Sequence, residues 1–328
     1  MRLALAFVLT CAPLAAAASP SLQDELAALA KNSRSTVGIY VEHLEKHETA
    51  GVNATRPFPL ASTFKLPLAI VVLGAVEKQA LPGLDGNVHL EASDMRGWAS
   101  PLHQRLPEGG DVTLREVLSS LLETSDNSAA DALLRLAGGG ARVTAALHAL
   151  GLDGIGIDRN KGEMALDSHG VAHPPARELT AARLHQLLAS APPEQQRRAV
   201  AKLMADPRDH GSPAAMGRVV ARLWRGELPL TKEHAAFVRQ EMTRCQTGVR
   251  RLRAGLPEAA AVADRTGTCY DRGDDLPPCA NDIGLLTLPS GEHVVVAVMI
   301  EDAGAPLGDK EKTMAAVARA VWQRYEKR

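Results

Sequence analysis

The sequence Ser62-Thr63-Phe64-Lys65 stands at the start of an apolar run that continues through residues 66–73. This run predicts a buried helix, and residues three apart lie on one face of a helix. The amine of Lys65 can therefore reach the hydroxyl of Ser62, and a hydroxyl becomes a strong nucleophile when a neighbouring base removes its proton. The helix start adds unpaired N–H groups and a positive potential. The stretch predicts an acylation site.

Two later motifs support this prediction, because a Ser-x-x-Lys pair alone can arise by chance. Ser125-Asp126-Asn127 precedes a segment with the apolar spacing of a helix, and Asp126 has the chemistry of a helix-start residue. Arg265-Thr266-Gly267-Thr268 follows an apolar stretch at residues 259–263 that predicts a strand. The three motifs occur in the order Ser-x-x-Lys, Ser-Asp-Asn and basic-Thr-Gly.

The elements predicted along the chain indicate an α/β fold of the α+β kind, with two lobes. Strands are predicted at residues 37–41, 49–52, 259–264, 283–288 and 294–300, and helices at residues 22–30, 65–79, 114–122, 128–137, 141–150 and 306–325. Because strands lie near both chain ends, we expect one antiparallel sheet packed by the first and last helices. Residues 19–58 and 210–328 would build this α/β lobe and residues 59–209 a helical lobe, with a ligand cleft between them.

Composition and the first residues limit the functions available. The chain has 328 residues, a formal net charge of −1 and no basic block, which argues against nucleic-acid binding. Residues 1–18 combine Arg2, an apolar stretch and the small residues Ala16-Ala17-Ala18, which is typical of a cleaved secretory signal. The signal is too short to span a membrane. We expect a periplasmic or secreted monomer without a membrane anchor.

The cysteines are consistent with export, because exported proteins can form disulfides. Cys269 and Cys279 bracket a polar loop and are expected to pair, which leaves Cys245 free. Closing so short a loop stabilises a protein by roughly 2–3 kcal/mol. The scattered histidines lack the spacing of a zinc site, and we expect neither a metal nor another cofactor.

Four stretches that include the motifs resemble the class A serine β-lactamases. They are Phe58-Pro59-Leu60-Ala61-Ser62-Thr63-Phe64-Lys65-Leu66-Pro67, Glu123-Thr124-Ser125-Asp126-Asn127-Ser128-Ala129-Ala130, Asp206-Pro207-Arg208-Asp209 with Ser212-Pro213-Ala214-Ala215-Met216, and Leu252-Arg253-Ala254-Gly255-Leu256-Pro257. The resemblance covers nearly the whole chain after the signal. It implies a β-lactamase-like fold and hydrolysis of a small-molecule β-lactam through an acyl-enzyme, and hence antibiotic resistance.

The resemblance also implies roles for individual residues. Ser62 would be the acylated nucleophile, Lys65 its proton acceptor or relay, and Ser125 the donor of a proton to the lactam nitrogen. The implied substrate-binding residues are Asn127 for the acyl side chain, Arg265, Thr266, Gly267 and Thr268 for the carboxylate, Trp98 at the cleft mouth and Arg251 as an auxiliary arginine. The backbone N–H groups of Ser62 and Thr268 would form an oxyanion hole. Surface packing remains the alternative for Trp98, and solvation the alternative for Arg251.

The chain departs from the class A pattern in the loop that should carry the deacylation base. Asp158-Arg159 resembles the start of the family's omega-shaped loop and Arg208-Asp209 its end, but 49 residues lie between Arg159 and Asp209. The extra segment, residues 168–206, predicts a helical hairpin with helices at residues 179–190 and 193–204. We expect this hairpin either to act as a lid that restricts bulky substrates or to be a surface decoration.

The added length leaves two registers for the family's glutamate. Counting from Arg159 without a gap puts Lys161 in the glutamate's place and Ala165 in that of the water-holding asparagine. A gap of two residues puts Glu163 there instead. The spacing from Gly151 favours the count without a gap, while chemistry favours Glu163 as the general base. Glu178 and Asp167 are more distant alternatives. In the gapped register, Glu163→Gln should accumulate acyl-enzyme while Lys161→Ala should not.

Overall fold

A computed structural model describes residues 20–269, 278–302 and 304–326. The predicted signal at residues 1–18 lies outside these residues. The strands are β1 (Thr36–His43), β2 (Glu48–Val52), β3 (Phe58–Pro59), β4 (Asn87–Leu90), β5 (Gly110–Thr113), β6 (His210–Gly211), β7 (Ala261–Thr268), β8 (Cys279–Thr287) and β9 (His293–Glu301). Five of them form one antiparallel sheet in the order β2-β1-β9-β8-β7. The predicted sheet from both chain ends is therefore confirmed.

The helices are α1 (Leu22–Asn32), α2 (Lys65–Glu77), α3 (Pro101–Arg105), α4 (Leu114–Glu123), α5 (Asn127–Leu136), α6 (Gly140–Ala149), α7 (Lys161–His169), α8 (Ala181–Ala189), α9 (Pro193–Met204), α10 (Pro213–Arg225), α11 (Lys232–Thr243) and α12 (Leu307–Tyr325). The predicted hairpin is present as α8 and α9. None of the described helices has the length and apolar content needed to cross a membrane.

Alternating side chains of β9 divide the sheet between two hydrophobic cores, as the period of two in a strand requires. Val296 and Val298 point into one core, which is closed by α1 and α12. Val295 and Ala297 point into the other core, which includes α10 and most of the helical region. The sheet thus has helices on both faces. The division of the chain into an α/β lobe and a helical lobe stays a prediction.

Helix α2 is the central element of the larger core. The side chains of α2 are mostly apolar, and nearly every face of the helix is buried. The helix packs against α4, α5, α6 and α11. A helix that is apolar all round belongs in a protein interior. This fixes the residue at its first position, Lys65, inside the molecule and the turn before it, Ala61–Phe64, at the junction with the sheet.

The predicted disulfide is confirmed, because Cys269 and Cys279 are bonded to each other. It joins the residue after β7 to the first residue of β8. Cys245 is a buried free thiol.

Candidate active site

Ser62 lies in the 3₁₀ turn Ala61–Phe64, which runs directly into α2. Residues three apart align in such a turn, so Ser62 and Lys65 face the same side. Ala61 has a positive φ of 46°, a conformation that costs a non-glycine residue free energy and often marks a functional site. Ser62 is half-buried and faces a cavity of about 850 Å³.

Gly267 on β7 lets the sheet approach this turn closely. A Cβ atom at Gly267 would lie 2.8 Å from the backbone nitrogen of Ser62 and 2.9 Å from the carbonyl oxygen of Leu60. Both neighbours are backbone atoms that cannot move aside, so only glycine fits here. The close approach places Gly267 and Thr268 beside the turn that carries Ser62, and all three residues line the cavity.

Lys65 is fully buried and donates hydrogen bonds from Nζ to three oxygens of the Ser-Asp-Asn motif. The acceptors are the carbonyl oxygen of Ser125 at 2.6 Å, its Oγ at 3.1 Å and Oδ1 of Asn127 at 2.9 Å. Within the described residues, none of its hydrogen bonds goes to Ser62. Burial lowers the pKa of the Lys65 amine well below its ordinary value, and the charges of Arg265 and Lys161 lower it further.

The Ser-Asp-Asn motif is held by Asp126, as the sequence predicts. Asp126 caps α5 by accepting the N–H of Ala129, and it also accepts hydrogen bonds from Ser100 Oγ and the N–H of Leu102. Ser125 has a positive φ of 62°. The cap and the turn together aim Ser125 Oγ at the cavity beside Ser62.

Ser125 Oγ receives hydrogen bonds from two nitrogen donors, Lys65 Nζ and a terminal nitrogen of Arg265. Because both donors occupy oxygen lone pairs, the hydroxyl proton of Ser125 is left to point at a bound molecule. Arg265 itself is fully buried and does not line the cavity, and Arg265-Thr266-Gly267-Thr268 lies within β7 rather than after it.

Arg251 is the guanidinium that does line the cavity next to β7. It donates to the carbonyl oxygens of Gly267 and Asn281, at 2.9 and 2.8 Å, and to Thr268 Oγ1 at 2.6 Å. Only 4% of the residue is exposed, so the solvated alternative for Arg251 is wrong. Thr266, Thr268 and Arg251 form a polar, cationic end of the cavity suited to a carboxylate.

The opposite end of the cavity is formed by α7 and the α8–α9 hairpin. Its apolar lining residues include Met164, Leu188, Val200, Leu203 and Met204. The hairpin therefore borders the same cavity as Ser62, and it is not only a surface decoration. Trp98 and Asn127 line the cavity between the two ends, and the Asn127 amide donates to the carbonyl oxygen of Trp98.

The structure does not bring Glu163 into this cavity. The Glu163 side chain accepts the N–H of Asn160 at 2.9 Å, while Asn160 Oδ1 accepts the N–H of Glu163 at 2.8 Å. This reciprocal pair is a capping box at the start of α7. It turns the carboxylate toward a second cavity, of about 280 Å³, on the other side of the helix. The placement of Glu163 as a base facing Ser62 is therefore wrong.

Lys161, two residues earlier, lines the cavity of Ser62. The register without a gap is the one that the fold adopts: Arg159 bonds Asp209 through Nε at 2.6 Å, and Lys161 and Ala165 follow it toward the cavity. Burial lowers the pKa of the Lys161 amine, although the carboxylates of Asp131 and Asp209 act in the opposite direction.

Asp131 fixes the start of α7 and was not predicted from the sequence. It forms a buried ion pair with Arg96 at 2.6 Å and accepts the N–H groups of Lys161, at 2.6 Å, and Gly162, at 3.2 Å. The Asn-x-x-Glu spacing from Asn160 to Glu163 is the sequence signal that would have identified this helix start and the direction of Glu163.

A serine in a cavity with a cationic end and an apolar end, one turn from a buried lysine, suits an enzyme that takes an acyl group from an anionic molecule. Serine hydrolases, which act through nucleophilic attack, are the class with this arrangement. A sequence model of the beta-lactamase enzyme family matches residues 21–325. The chain belongs to the beta-lactamase enzyme family.

Individual relatives agree with this assignment. A β-lactamase of Mycobacterium tuberculosis is 30% identical over 309 residues, which cover 93% of this chain and 85% of the relative. The crystal structure of a β-lactamase from Chitinophaga pinensis has a TM-score of 0.76 and 30% identity, and covers 92% of this chain and 98% of its own. The class A β-lactamase of the last common ancestor of Gram-negative bacteria has a TM-score of 0.72 and 28% identity, with 93% and 99% covered. The predicted fold and the predicted class A serine β-lactamase are confirmed.

Proposed function

We propose that the protein opens the ring of β-lactam antibiotics by forming an acyl-enzyme on Ser62. The observation that carries the proposal is the hydrogen-bonded chain from Lys65 through Ser125 Oγ to Arg265, which reaches the cavity wall beside Ser62. The family and its class A relatives support the same reaction.

In the proposed acylation, Lys65 in its neutral form accepts the proton of Ser62 as Oγ bonds to the lactam carbonyl carbon. Burial and neighbouring cations favour the neutral amine. The carbon–nitrogen bond of the ring then breaks, and Ser125 donates its proton to the lactam nitrogen while it takes one from Lys65. Proton count is conserved, because the proton lost by Ser62 replaces the one that Ser125 gives away.

Substrate binding in this proposal uses both ends of the cavity. Thr266, Thr268 and Arg251 would hold the carboxylate of the antibiotic, while Arg265 would act through Ser125. Asn127 and Trp98 would contact the acyl side chain, which points toward the hairpin. The N–H groups of Ser62 and Thr268 would hold the carbonyl oxygen, and such donors are worth roughly 3–4 kcal/mol each in other hydrolases.

The test is turnover of nitrocefin and benzylpenicillin, with intact mass measured after mixing. Wild-type protein should gain the mass of the antibiotic on Ser62, and Ser62→Ala should show neither adduct nor turnover. Ser290→Ala, which changes an exposed serine in a turn, is the matched control and should behave as wild type. A wild-type protein that gains no mass and hydrolyses neither compound would refute the proposal.

We also propose that the protein acts after export, in the periplasm or outside the cell. The Cys269–Cys279 disulfide supports an oxidising compartment. N-terminal sequencing of the protein from a fractionated host should find a mature chain that begins close to residue 19. A chain retained in the cytoplasm with its first 18 residues intact would contradict export.

A further inference from the structure

Release of the acyl group needs a base, and the part of the cavity formed by the described residues offers no available carboxylate for that task. Among the described residues that line it, Asp209 is the one carboxylate. Asp209 accepts Nε of Arg159 at 2.6 Å and the N–H groups of Asp158 and Arg159 at 2.7 and 3.0 Å. Because three donors, one of them a cation, occupy its oxygens, this carboxylate stabilises the loop and is not available to accept a proton from water. Glu163 faces the other cavity.

Lys161 has a side chain that its surroundings leave available. Its backbone N–H is bound by Asp131, but in the described part of the chain its amine has no carboxylate within 4.0 Å and lies 3.7 Å from the sulfur of Met164. It lines the same cavity as Ser62, and its positive charge is one of the influences that lower the pKa of the Lys65 amine. Lys161 therefore lies in the wall of the cavity that would hold an acyl group on Ser62.

We propose that Lys161 is the catalytic base of deacylation, an inference that rests on acylation of Ser62 as proposed above. The neutral amine accepts a proton from a water molecule as the water oxygen bonds to the acyl carbonyl carbon. The bond from that carbon to Ser62 Oγ then breaks, and the proton held by Lys161 passes to Oγ. The product leaves as a carboxylic acid, which ionises in solvent. Overall, one water molecule and the acyl-enzyme are converted to the free enzyme and one molecule of acid.

The charges around Lys161 determine how this step depends on pH. The carboxylates of Asp131 on α5 and Asp209 at the end of the loop act on its amine, and its own charge acts on Lys65 on α2. The other charged or titratable groups that line the same cavity are Arg159, Arg208, Arg251, His169, His185 and His210. Burial favours the neutral amine, and the two carboxylates oppose it. A base must be unprotonated, so the deacylation rate constant should rise with pH and level off at an apparent pKa below the ordinary lysine value of about 10.4.

Two substitutions separate a base from a positive charge that only positions other groups. Lys161→Met should slow deacylation by roughly 10²–10⁴-fold, the usual contribution of a general base, and should accumulate acyl-enzyme. Lys161→Arg keeps the charge but has no neutral form near neutral pH, so it should be equally slow. Lys161→Glu should restore part of the turnover, with a pH profile that rises in the acidic range of a carboxylate.

The measurements are the acylation burst, the intact mass over time and single-turnover deacylation between pH 5 and pH 10. A burst of normal size shows that each variant is folded and acylates. Lys202→Met, which changes an exposed lysine on α9, is the matched control and should deacylate as wild type.

Deacylation by Lys161→Arg at the wild-type rate would overturn the proposal, as would a wild-type acyl-enzyme that is not released. A wild-type protein that forms no acyl-enzyme would instead refute the proposed function, so the two failures are distinguishable.

Discussion

Arg251 and Arg265 lie on the same side of the cavity, but their contacts separate their tasks. Arg265 is fully buried and donates a hydrogen bond to Ser125 Oγ, so it acts on that hydroxyl. Arg251 borders the cavity and also supports β7 and β8 through the carbonyl oxygens of Gly267 and Asn281. The resemblance implied Arg265 as the carboxylate ligand, yet packing shows that Arg251 is the guanidinium that borders the cavity.

We expect Arg251→Ala to reduce kcat/KM for penicillins by roughly 10–150-fold, because a hydrogen bond to a charged group contributes about 1.5–3 kcal/mol. The loss should be largely in KM. Steady-state kinetics on benzylpenicillin and on a simple ester without a carboxylate should show the effect only with the former. Arg250→Ala removes a neighbouring exposed arginine and should have little effect. An equal loss on both substrates would indicate a general distortion of β7 instead.

At the scale of elements, the start of α7 decides which side chain faces the nucleophile. The capping box between Asn160 and Glu163 orients the helix, and Asp131 anchors its first two N–H groups while it pairs with the buried Arg96. A shift of two residues would exchange Lys161 for Glu163 on the cavity wall. The interlocking of these contacts fixes the helix in one register.

We expect Asp131→Asn to lower the free energy of unfolding by about 3–5 kcal/mol, because the change leaves the buried guanidinium of Arg96 without its counter-ion. It should also slow deacylation more than acylation, since Lys161 loses the anchor of its backbone. Urea unfolding and single-turnover kinetics measure the two effects. Asp153→Asn, at an exposed carboxylate, is the control. Unchanged stability would mean that the Arg96–Asp131 pair does not hold α7.

The strands, α2 and the hairpin could be predicted from the sequence, because each rests on local periodicity or on turn residues. The side chains of β9 point alternately into two cores, so its apolar residues form an uninterrupted run in the sequence. The sequence leaves the register after Arg159 open, although the spacing of Asn160 and Glu163 is a local signal of the capping box that helps to decide it. Chemical preference favoured Glu163, while the contacts that decide the matter come from Asp131, about 30 residues earlier, and from Asp209, 50 residues later. Long-range contacts of this kind leave no periodic signal.

For the whole molecule, acidic pH should loosen the long loop first. Hydrogen bonds from Arg208 hold the pKa of Asp206 well below its usual range. Burial raises the pKa of Asp167, but hydrogen bonds from Arg159 and His173 outweigh it and lower the pKa overall. Groups with a lowered pKa stabilise the fold above the unfolded value, about 3.9 for aspartate, and lose that contribution as pH falls through the folded pKa.

The free energy of unfolding should therefore fall steeply between pH 5 and pH 2, and less steeply in Asp206→Asn. Urea unfolding at a series of pH values provides the measurement, with Asp153→Asn as a control that should follow wild type. Parallel curves for wild type and Asp206→Asn would show that this ion-pair network does not contribute to acid stability.

The ion pair between Arg159 and Asp209 closes the loop at both of its ends, at 2.6 Å. The segment between these two residues includes the helical hairpin that borders the apolar end of the cavity. Its two ends are therefore held next to each other. Recombination that preserved this pair could exchange the whole segment between relatives as a single module. Such an exchange would alter which antibiotics are preferred while the sheet and the nucleophile stayed in place.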